Sequence, residues 1–205
     1  MMENISRLVS AGNWKLPNTT AIFNMGEART CPSSKLGLCQ AYVKGKCVCY
    51  ARKAEIQYWT IVPFYRQRQE RYWKAVTAEQ FTSELLAFNK RKRNKFTALR
   101  LNEAGDFWSQ VCVDKAEKIA GILSKYKIKT YSYSARRDLD FSKCKYLVVS
   151  GSGFKTSGMK GIFTMVTDLK DKPKGWGTCC GHCGVWGGKG CKRCLVGSKT
   201  VILKH

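Results

Sequence analysis

The spacing of apolar residues between positions 51 and 95 predicts helices. Pro63 is expected to break or begin a helix, because proline lacks a backbone donor and fits the first helical turn. Thr77, with acidic and amide residues soon after it, has the composition of a helix start. The apolar residues of that helix are spaced to lie on one buried face: Phe81, Leu85 and Phe88.

Beyond residue 95, short strand-like runs surround one long helix. The strands are "FTALRLN", "KTYSYS", "YLVVSGSG" and "GIFTMVTD", and the helix "FWSQVCVDKAEKIAGILSKY" separates the first two. This order is typical of βαβ units, so we expect an α/β fold with a parallel sheet. Residues 1–30 are predicted to be irregular. The buried face of the long helix is expected to contain Val111, Ala116, Ile119, Ala120 and Leu123.

The length suits one domain. We expect a single α/β domain over residues 1–205, with a Cys-rich loop at 31–50 and a Gly- and Cys-rich, metal-binding tail at 171–205. The N-terminus lacks the apolar segment of a signal peptide, and no run is long enough to span a membrane. The expected location is the cytoplasm, where thiols stay reduced. Eleven cysteines there favour metal binding over disulfides.

The tail concentrates thiols in "CCGHCGVWGGKGCKRC", where five cysteines fall in sixteen residues. Cys180 and Cys183 form one C-x2-C pair, and Cys191 and Cys194 form a second. Alternatively, Cys179 and Cys183 form C-x3-C with the same second pair. Four thiolates at such spacings can surround one tetrahedral metal ion or one iron–sulfur cube. The spacing alone does not choose between zinc and iron.

The first cysteine group along the chain lies in "CPSSKLGLCQAYVKGKCVCY" and comprises Cys31, Cys39, Cys47 and Cys49, whereas the tail holds the second group. It can form a four-thiol site, or a three-thiol site with an open coordination position. Closed metal sites are mostly structural or carry electrons, whereas open sites bind substrate. Cys112 in the long helix and Cys144 beside a strand are expected to be packing residues.

Polar residues follow the strands of the predicted sheet. In a parallel sheet, ligands bind beyond the carboxyl ends of the strands. The candidate catalytic residues at these ends are Glu103, Asp106, Arg136 and Asp138. The alternative is that they cap helices and form turns. With two histidines in the chain, His-based acid–base catalysis has few candidates.

The charge balance is strongly basic. Thirty-seven Lys and Arg against fourteen Asp and Glu give a net charge of +23, which favours an anionic partner, most often nucleic acid. The alternative is a solvated basic surface. The aromatic residues of segment 58–73 are expected to be core residues of an amphipathic helix. The run "NKRKRNK" supplies the candidate nucleic-acid-binding residues Lys90, Arg91, Lys92, Arg93 and Lys95.

The segments "LPNTTAIFNMG", "TCPSSKLGLCQ", "LRLNEAGDFWSQ", "YSYSARRDLDFS" and "CKRC" occur in this order along the chain. Together they resemble the phage "gene product 88" protein family, from about Leu16 to His205. The resemblance implies a bacteriophage or prophage origin, and hence the cytoplasm of the host cell. At the level of fold the chain also resembles radical-SAM-like barrels, which implies a partial parallel β/α barrel-like sheet around an iron–sulfur cluster.

The resemblance also implies a set of metal ligands. The cysteines of the family fall on Cys31, Cys39, Cys49, Cys179, Cys183, Cys191 and Cys194, whereas Cys47 and Cys180 are extra in this sequence. The implied cofactor is an iron–sulfur cluster, with 4Fe–4S favoured and zinc as the alternative. The close cysteine triad of radical-SAM enzymes is absent from the sequence, so SAM chemistry is not implied.

These features predict a metal-cluster protein with a basic surface that binds nucleic acid. Two alternatives remain open at this point. One is an iron–sulfur-dependent enzyme with a pocket at the carboxyl ends of the strands. The other is an effector that binds and inhibits a host machine that itself binds nucleic acid.

Overall fold

The computed structural model describes residues 3–39, 42–43, 46–166, 168–179 and 193–203. The helices are α1 (Pro32–Lys35), α2 (Tyr50–Gln57), α3 (Val62–Ala75), α4 (Ala78–Arg91), α5 (Gln110–Ser124) and α6 (Arg193–Val196), with short 3-10 turns at Ile5–Arg7 and Leu169–Asp171. The strands are β1 (Ser10–Ala11), β2 (Thr20–Phe23), β3 (Tyr42–Val43), β4 (Lys46–Cys47), β5 (Ala98–Leu101), β6 (Lys129–Ser134), β7 (Leu147–Ser152), β8 (Gly161–Val166), β9 (Gly177–Thr178) and β10 (Lys199–Leu203).

Eight strands form one open, mostly parallel sheet in the order β1-β2-β5-β6-β7-β8-β10-β9. Only the β1–β2 pair is antiparallel among the described pairs of this sheet. Strands β3 and β4 form a separate antiparallel hairpin. The α/β class and the parallel sheet predicted from sequence are confirmed. The sheet is not closed into a barrel.

The prediction that residues 1–30 are irregular is wrong. Thr20–Phe23 form β2, an interior strand that pairs with β5, and all four of its residues are buried. A strand buried on both faces shows no alternation of apolar and polar residues, and four residues are too few to define a period.

Helices α3, α4 and α5 cover one face of the sheet. Phe23 from β2 meets Phe81 from α4 edge to face, with ring centroids 5.0 Å apart. Thr77 caps α4, as predicted, by accepting a hydrogen bond from Gln80 N at 3.1 Å. The strand residues of this core are Ala21, Phe23, Leu99, Leu101, Leu147 and Val149.

The predicted face of α5 needs one correction. Val111 is 75% exposed, whereas Cys112 and Val113 are buried with the other predicted residues of that face. The buried stripe follows the spacing 112, 116, 119, 120 and 123, and Val111 lies beside that stripe. Cys112 and Cys144 are core residues, as predicted. Among the described residues, no helix is both long and apolar enough to cross a membrane.

Candidate functional site

The loop after β2 carries the first cysteine group along the carboxyl edge of the sheet. Cys31 immediately precedes α1 and Cys49 immediately precedes α2. A charge on Cys39 would raise the pKa of Cys31, and a charge on Cys49 would raise the pKa of Cys39. The structure therefore makes neighbours of three cysteines that were predicted as metal ligands.

The surroundings of Cys31 and Cys39 raise the pKa values of both thiols. Burial is the main cause that raises the pKa of Cys31 to about 12, and the charge of Asp106 adds to it, while backbone N–H groups of Ser34 and Ser33 oppose it. Burial also raises the pKa of Cys39. Since thiolates are the form that binds metal, metal binding here would release protons.

The three thiols do not converge on a single point. Across the described ranges, no three His, Cys, Asp or Glu side chains are close enough to hold one metal ion. The Sγ atom of Cys47 donates to the carbonyl oxygen of Cys49 at 3.7 Å. In an iron–sulfur cube each thiolate binds a different iron, so the ligands need not meet as closely as around one tetrahedral zinc.

The second cysteine group is described only at its two ends. Cys179 and Cys194 line one pocket on the face of the sheet opposite the helices, together with Tyr133 and Phe163. The N–H of Cys179 donates to Val201 O at 2.8 Å, which ties this end to β10. Three further thiols that the sequence predicts for this tail lie outside the described residues: Cys180, Cys183 and Cys191.

A half-buried arginine, Arg100, lies between the two cysteine groups. The guanidinium of Arg100 lies over the ring of Tyr133, 5.3 Å from its centroid, and donates to Tyr50 Oη at 3.2 Å. Tyr50 adjoins Cys49 in sequence, and the hydroxyl of Tyr133 donates to Cys194 Sγ. The path between the two groups therefore runs through the side chains of Tyr50, Arg100 and Tyr133.

Asp106 organises the carboxyl edge from a buried position. Its Oδ1 accepts from Phe107 N and Ser134 Oγ, each at 2.8 Å. Its Oδ2 accepts from Ala135 N at 2.8 Å and from Ser33 Oγ at 2.5 Å. Burial raises the pKa of Asp106, and these donors oppose the rise. The carboxylate thus joins the cysteine loop to the ends of β5 and β6.

The other candidate catalytic residues also have partners within the protein. Arg136 forms a two-pronged ion pair with Asp138 at 2.8 and 2.7 Å. Glu103 accepts from Asn13 Nδ2 at 2.5 Å. The edge also carries a groove of about 490 Å³, lined in part by Asp106 and Trp108. The structure thus brings Asp106, Arg136 and Asp138 to one edge, where their hydrogen bonds fix turns.

The model of the family described as "Gene product 88" matches residues 4–150. The chain belongs to the gene product 88 family. The match supports the bacteriophage origin expected from the resemblance. Comparison with curated proteins and with solved structures gives no match to either.

The range of the family match separates the two cysteine groups. Cys31, Cys39 and Cys49 lie within the range that the gene product 88 family model matches, whereas Cys179 and Cys194 lie beyond that range. The first cysteine group is therefore in the family part of the chain. The likeness to radical-SAM-like barrels is not tested by these comparisons and stays a prediction.

The basic run after α4 lies at the opposite, amino edge of the sheet. Lys92 packs over the ring of Phe96 at 4.8 Å, and Lys95 Nζ donates to the carbonyl oxygens of Asn89 and Lys90. These two lysines help to end α4. Three cations of the run are exposed and take no part in the ion pairs of the described residues: Lys90, Arg91 and Arg93.

The aromatic segment 58–73 is only partly core. Tyr72 and Trp73 are buried, as predicted, but the turn between α2 and α3 is not. Large apolar side chains are exposed along this turn: Ile56, Tyr58, Trp59, Ile61 and Phe64. The spacing of these residues fits a helix, but in the described structure no helix or strand packs over them.

Sequence reasoning missed Glu55, which anchors the cysteine loop. Its carboxylate accepts from Ala28 N at 2.5 Å and Arg29 N at 3.0 Å, and it pairs with Arg66 at 2.8 Å. Glu55 and Arg66 are both buried. One feature of the sequence could have indicated this role. Glu55 is an acidic residue in a segment, covering α2 and α3, whose charged residues are mostly basic.

Proposed function

We propose that this gene product 88 protein is a metal-cluster protein that binds nucleic acid. The cysteine loop at the carboxyl edge holds an iron–sulfur cluster, and exposed cations at the amino edge contact phosphates. The observation that carries the nucleic-acid part is that Lys90, Arg91 and Arg93 are exposed and form no ion pair with any described residue, in a chain of net charge +23.

Three features of Cys31, Cys39 and Cys49 support the cluster. They are neighbours, they are free thiols, and they lie where a parallel sheet binds ligands. Three protein thiols leave one iron of a cube available for a fourth ligand. Such a cluster would supply electron transfer or Lewis-acid chemistry, and the protein would supply the thiolates from three half-buried cysteines.

Removal of the first cysteine group is expected to abolish cluster binding. After anaerobic purification, we expect iron and sulfide in matched amounts and a visible absorption band. The triple variant Cys31→Ala, Cys39→Ala, Cys49→Ala should lose both. The matched control is Cys47→Ala, which removes a thiol from the same loop and should retain the iron. Stoichiometric zinc without iron in the wild-type protein would contradict the cluster.

Neutralising the basic run is expected to weaken nucleic-acid binding and its salt dependence. The variant Lys90→Ser, Arg91→Ser, Arg93→Ser should lower the slope of log affinity against log salt by about 0.9 for each lost contact with duplex phosphate. Affinity is measured by fluorescence anisotropy over a range of salt concentrations. The control variant Lys170→Ser, Lys172→Ser, Lys174→Ser removes the same charge at another exposed site. Equal slopes for the two variants would argue against this contact.

The exposed apolar turn between α2 and α3 favours a second candidate, an effector that binds a host protein. Five large exposed apolar residues within nine positions are more than is usual for the surface of a protein. Aromatic residues of this kind often anchor protein interfaces. Capture of a host protein that survives nuclease treatment and is lost in Trp59→Ser would favour this candidate over nucleic-acid binding.

A further inference from the structure

The amino edge of the sheet carries more cations than the predicted basic run. Because β5, β6 and β7 are parallel neighbours, the connections that enter them meet at one edge. Ala98 of β5 pairs with Lys129 of β6, and Thr130 pairs with Leu147 of β7, so the three strands begin nearly in line. Beside the run at 90–95, this edge carries the exposed lysines Lys125, Lys127, Lys129, Lys143 and Lys145.

None of these five lysines forms an ion pair within 4 Å among the described residues, although the charge of Lys143 helps to lower the pKa of Asp140. Another carboxylate in this region belongs to Glu117 of α5. It accepts from the backbone N–H groups of Lys145, Tyr146 and Leu147 at 2.8 to 3.0 Å. The carboxylate is therefore occupied by backbone donors, and the lysine ammonium groups face solvent.

Two exposed tyrosines alternate with these lysines. Tyr126 is 58% exposed between Lys125 and Lys127, and Tyr146 is 54% exposed after Lys145. The ring of Tyr146 lies against α5 beside Gly121, where an added Cβ would come within 3.3 Å of the ring. Glu117 fixes the backbone that bears this tyrosine. The ring is thus supported on one side and open on the other.

Lys127 has a backbone conformation that usually belongs to glycine. Its φ is 59°, in the left-handed region, just after the end of α5. The backbone N–H of Ile128 donates to the carbonyl oxygen of Leu123 at 3.1 Å, and this hydrogen bond closes the C-terminal end of the helix. Glycine or asparagine is favoured at this position. A lysine here places a positive charge at this point of the chain at a cost in conformational energy. Lysine near a helix C-terminus also interacts favourably with the helix dipole, but this does not explain the exposed tyrosines or the lysines before β7.

We propose that the amino edge across β5, β6 and β7 binds single-stranded nucleic acid. The lysines neutralise phosphates, and Tyr126 and Tyr146 stack on unpaired bases. Bases in a duplex are already stacked, so the tyrosines select the single strand. The inference rests on the proposed nucleic-acid function and specifies the surface and the strand state. DNA and RNA share the phosphates and base faces that this surface contacts.

The test compares stacking and charge variants on matched oligonucleotides. The probes are fluorescent single-stranded DNA, single-stranded RNA and duplex DNA of one sequence. Tyr126→Ser and Tyr146→Ser should each weaken single-strand binding about fivefold or more, with an unchanged salt slope and little effect on duplex. Tyr126→Phe and Tyr146→Phe keep the rings and should retain affinity. Lys125→Ser, Lys127→Ser, Lys129→Ser should lower the single-strand salt slope by about 0.7 for each lost contact.

Lys127→Gly separates binding from folding. It should leave the melting temperature unchanged or raise it, because glycine adopts the left-handed conformation freely, and it should still weaken single-strand binding. The relative affinity for DNA and RNA shows which nucleic acid is preferred, and either preference agrees with the proposal.

The outcomes separate this surface from the wider proposal. If all the tyrosine and lysine variants bound as tightly as the wild-type protein, the proposal of this surface would be overturned, and the nucleic-acid function would still stand. Preference for duplex, with the tyrosines without effect, would overturn the single-strand inference alone. A wild-type protein that binds none of the three probes at low salt would overturn both proposals.

Discussion

Asp106→Asn is expected to destabilise the fold by about 2–4 kcal/mol, although it changes neither the size nor the shape of the side chain. Each oxygen of Asp106 accepts from one backbone N–H, of Phe107 or Ala135, and from one serine hydroxyl. An amide nitrogen in either place would face a buried backbone donor and leave it without a partner. Rotation of the amide cannot relieve this, because both positions have such a donor.

The measurement is equilibrium unfolding in denaturant, together with thermal unfolding. For a chain of this length, such a loss corresponds to a fall in melting temperature of about 4–16 °C. Asp138→Asn is the matched control, since the Asp138 side chain is 43% exposed and the exchange disturbs only a partly solvated ion pair. The control should change stability by less than about 1 kcal/mol. Equal stabilities of the two variants would show that Asp106 does not organise this edge.

The long periodic segments made most of the fold predictable from sequence. The buried face of α4 and the strands β5 to β8 follow local patterns of apolar and polar residues that are clear in the sequence. The edge of the buried stripe on α5 was misplaced by one residue, because Val111 and Cys112 are both apolar and adjacent. Strand β2 was missed because its four residues show no alternation, and its burial depends on β5, 78 positions further along the chain.

For the candidate site, the sequence indicates residue types and their approximate place. Thiol spacing predicts a metal site in the cysteine loop, which stays a prediction, and strand order correctly placed Asp106 and Arg136 at one edge. The hydrogen bonds that occupy Asp106 come from three separate segments, and no local pattern reports them. The lysines before β6 and β7 went unrecognised as part of a basic surface because they are scattered in sequence, and only the parallel register places them beside the run at 90–95.

Glu55→Gln is expected to have a still larger effect, about 3–5 kcal/mol, because it leaves the buried guanidinium of Arg66 without its charge partner. Arg66 retains a hydrogen bond to Ala51 O at 2.9 Å, which does not replace a carboxylate. Both oxygens of Glu55 also accept from backbone N–H groups, of Ala28 and Arg29. As at Asp106, the amide nitrogen of glutamine would oppose a backbone donor in either orientation.

This change should affect the cysteine loop as well as stability. Ala28 and Arg29 lie three and two residues before Cys31, so releasing their N–H groups loosens the position of that thiol. We expect Glu55→Gln to lower the iron content of the purified protein in addition to its unfolding free energy. The matched control is Glu70→Gln, which affects the exposed pair with Lys74 and should change stability by less than about 1 kcal/mol.

The two measurements on Glu55→Gln separate anchoring from general stability. A second destabilised variant, Leu123→Ala, removes a buried apolar residue of α5 that lies outside the cysteine loop. At equal loss of unfolding free energy, an anchoring role requires Glu55→Gln to lose more iron than Leu123→Ala. If the iron content of both variants followed stability alone, Glu55 would hold the fold together without positioning Cys31.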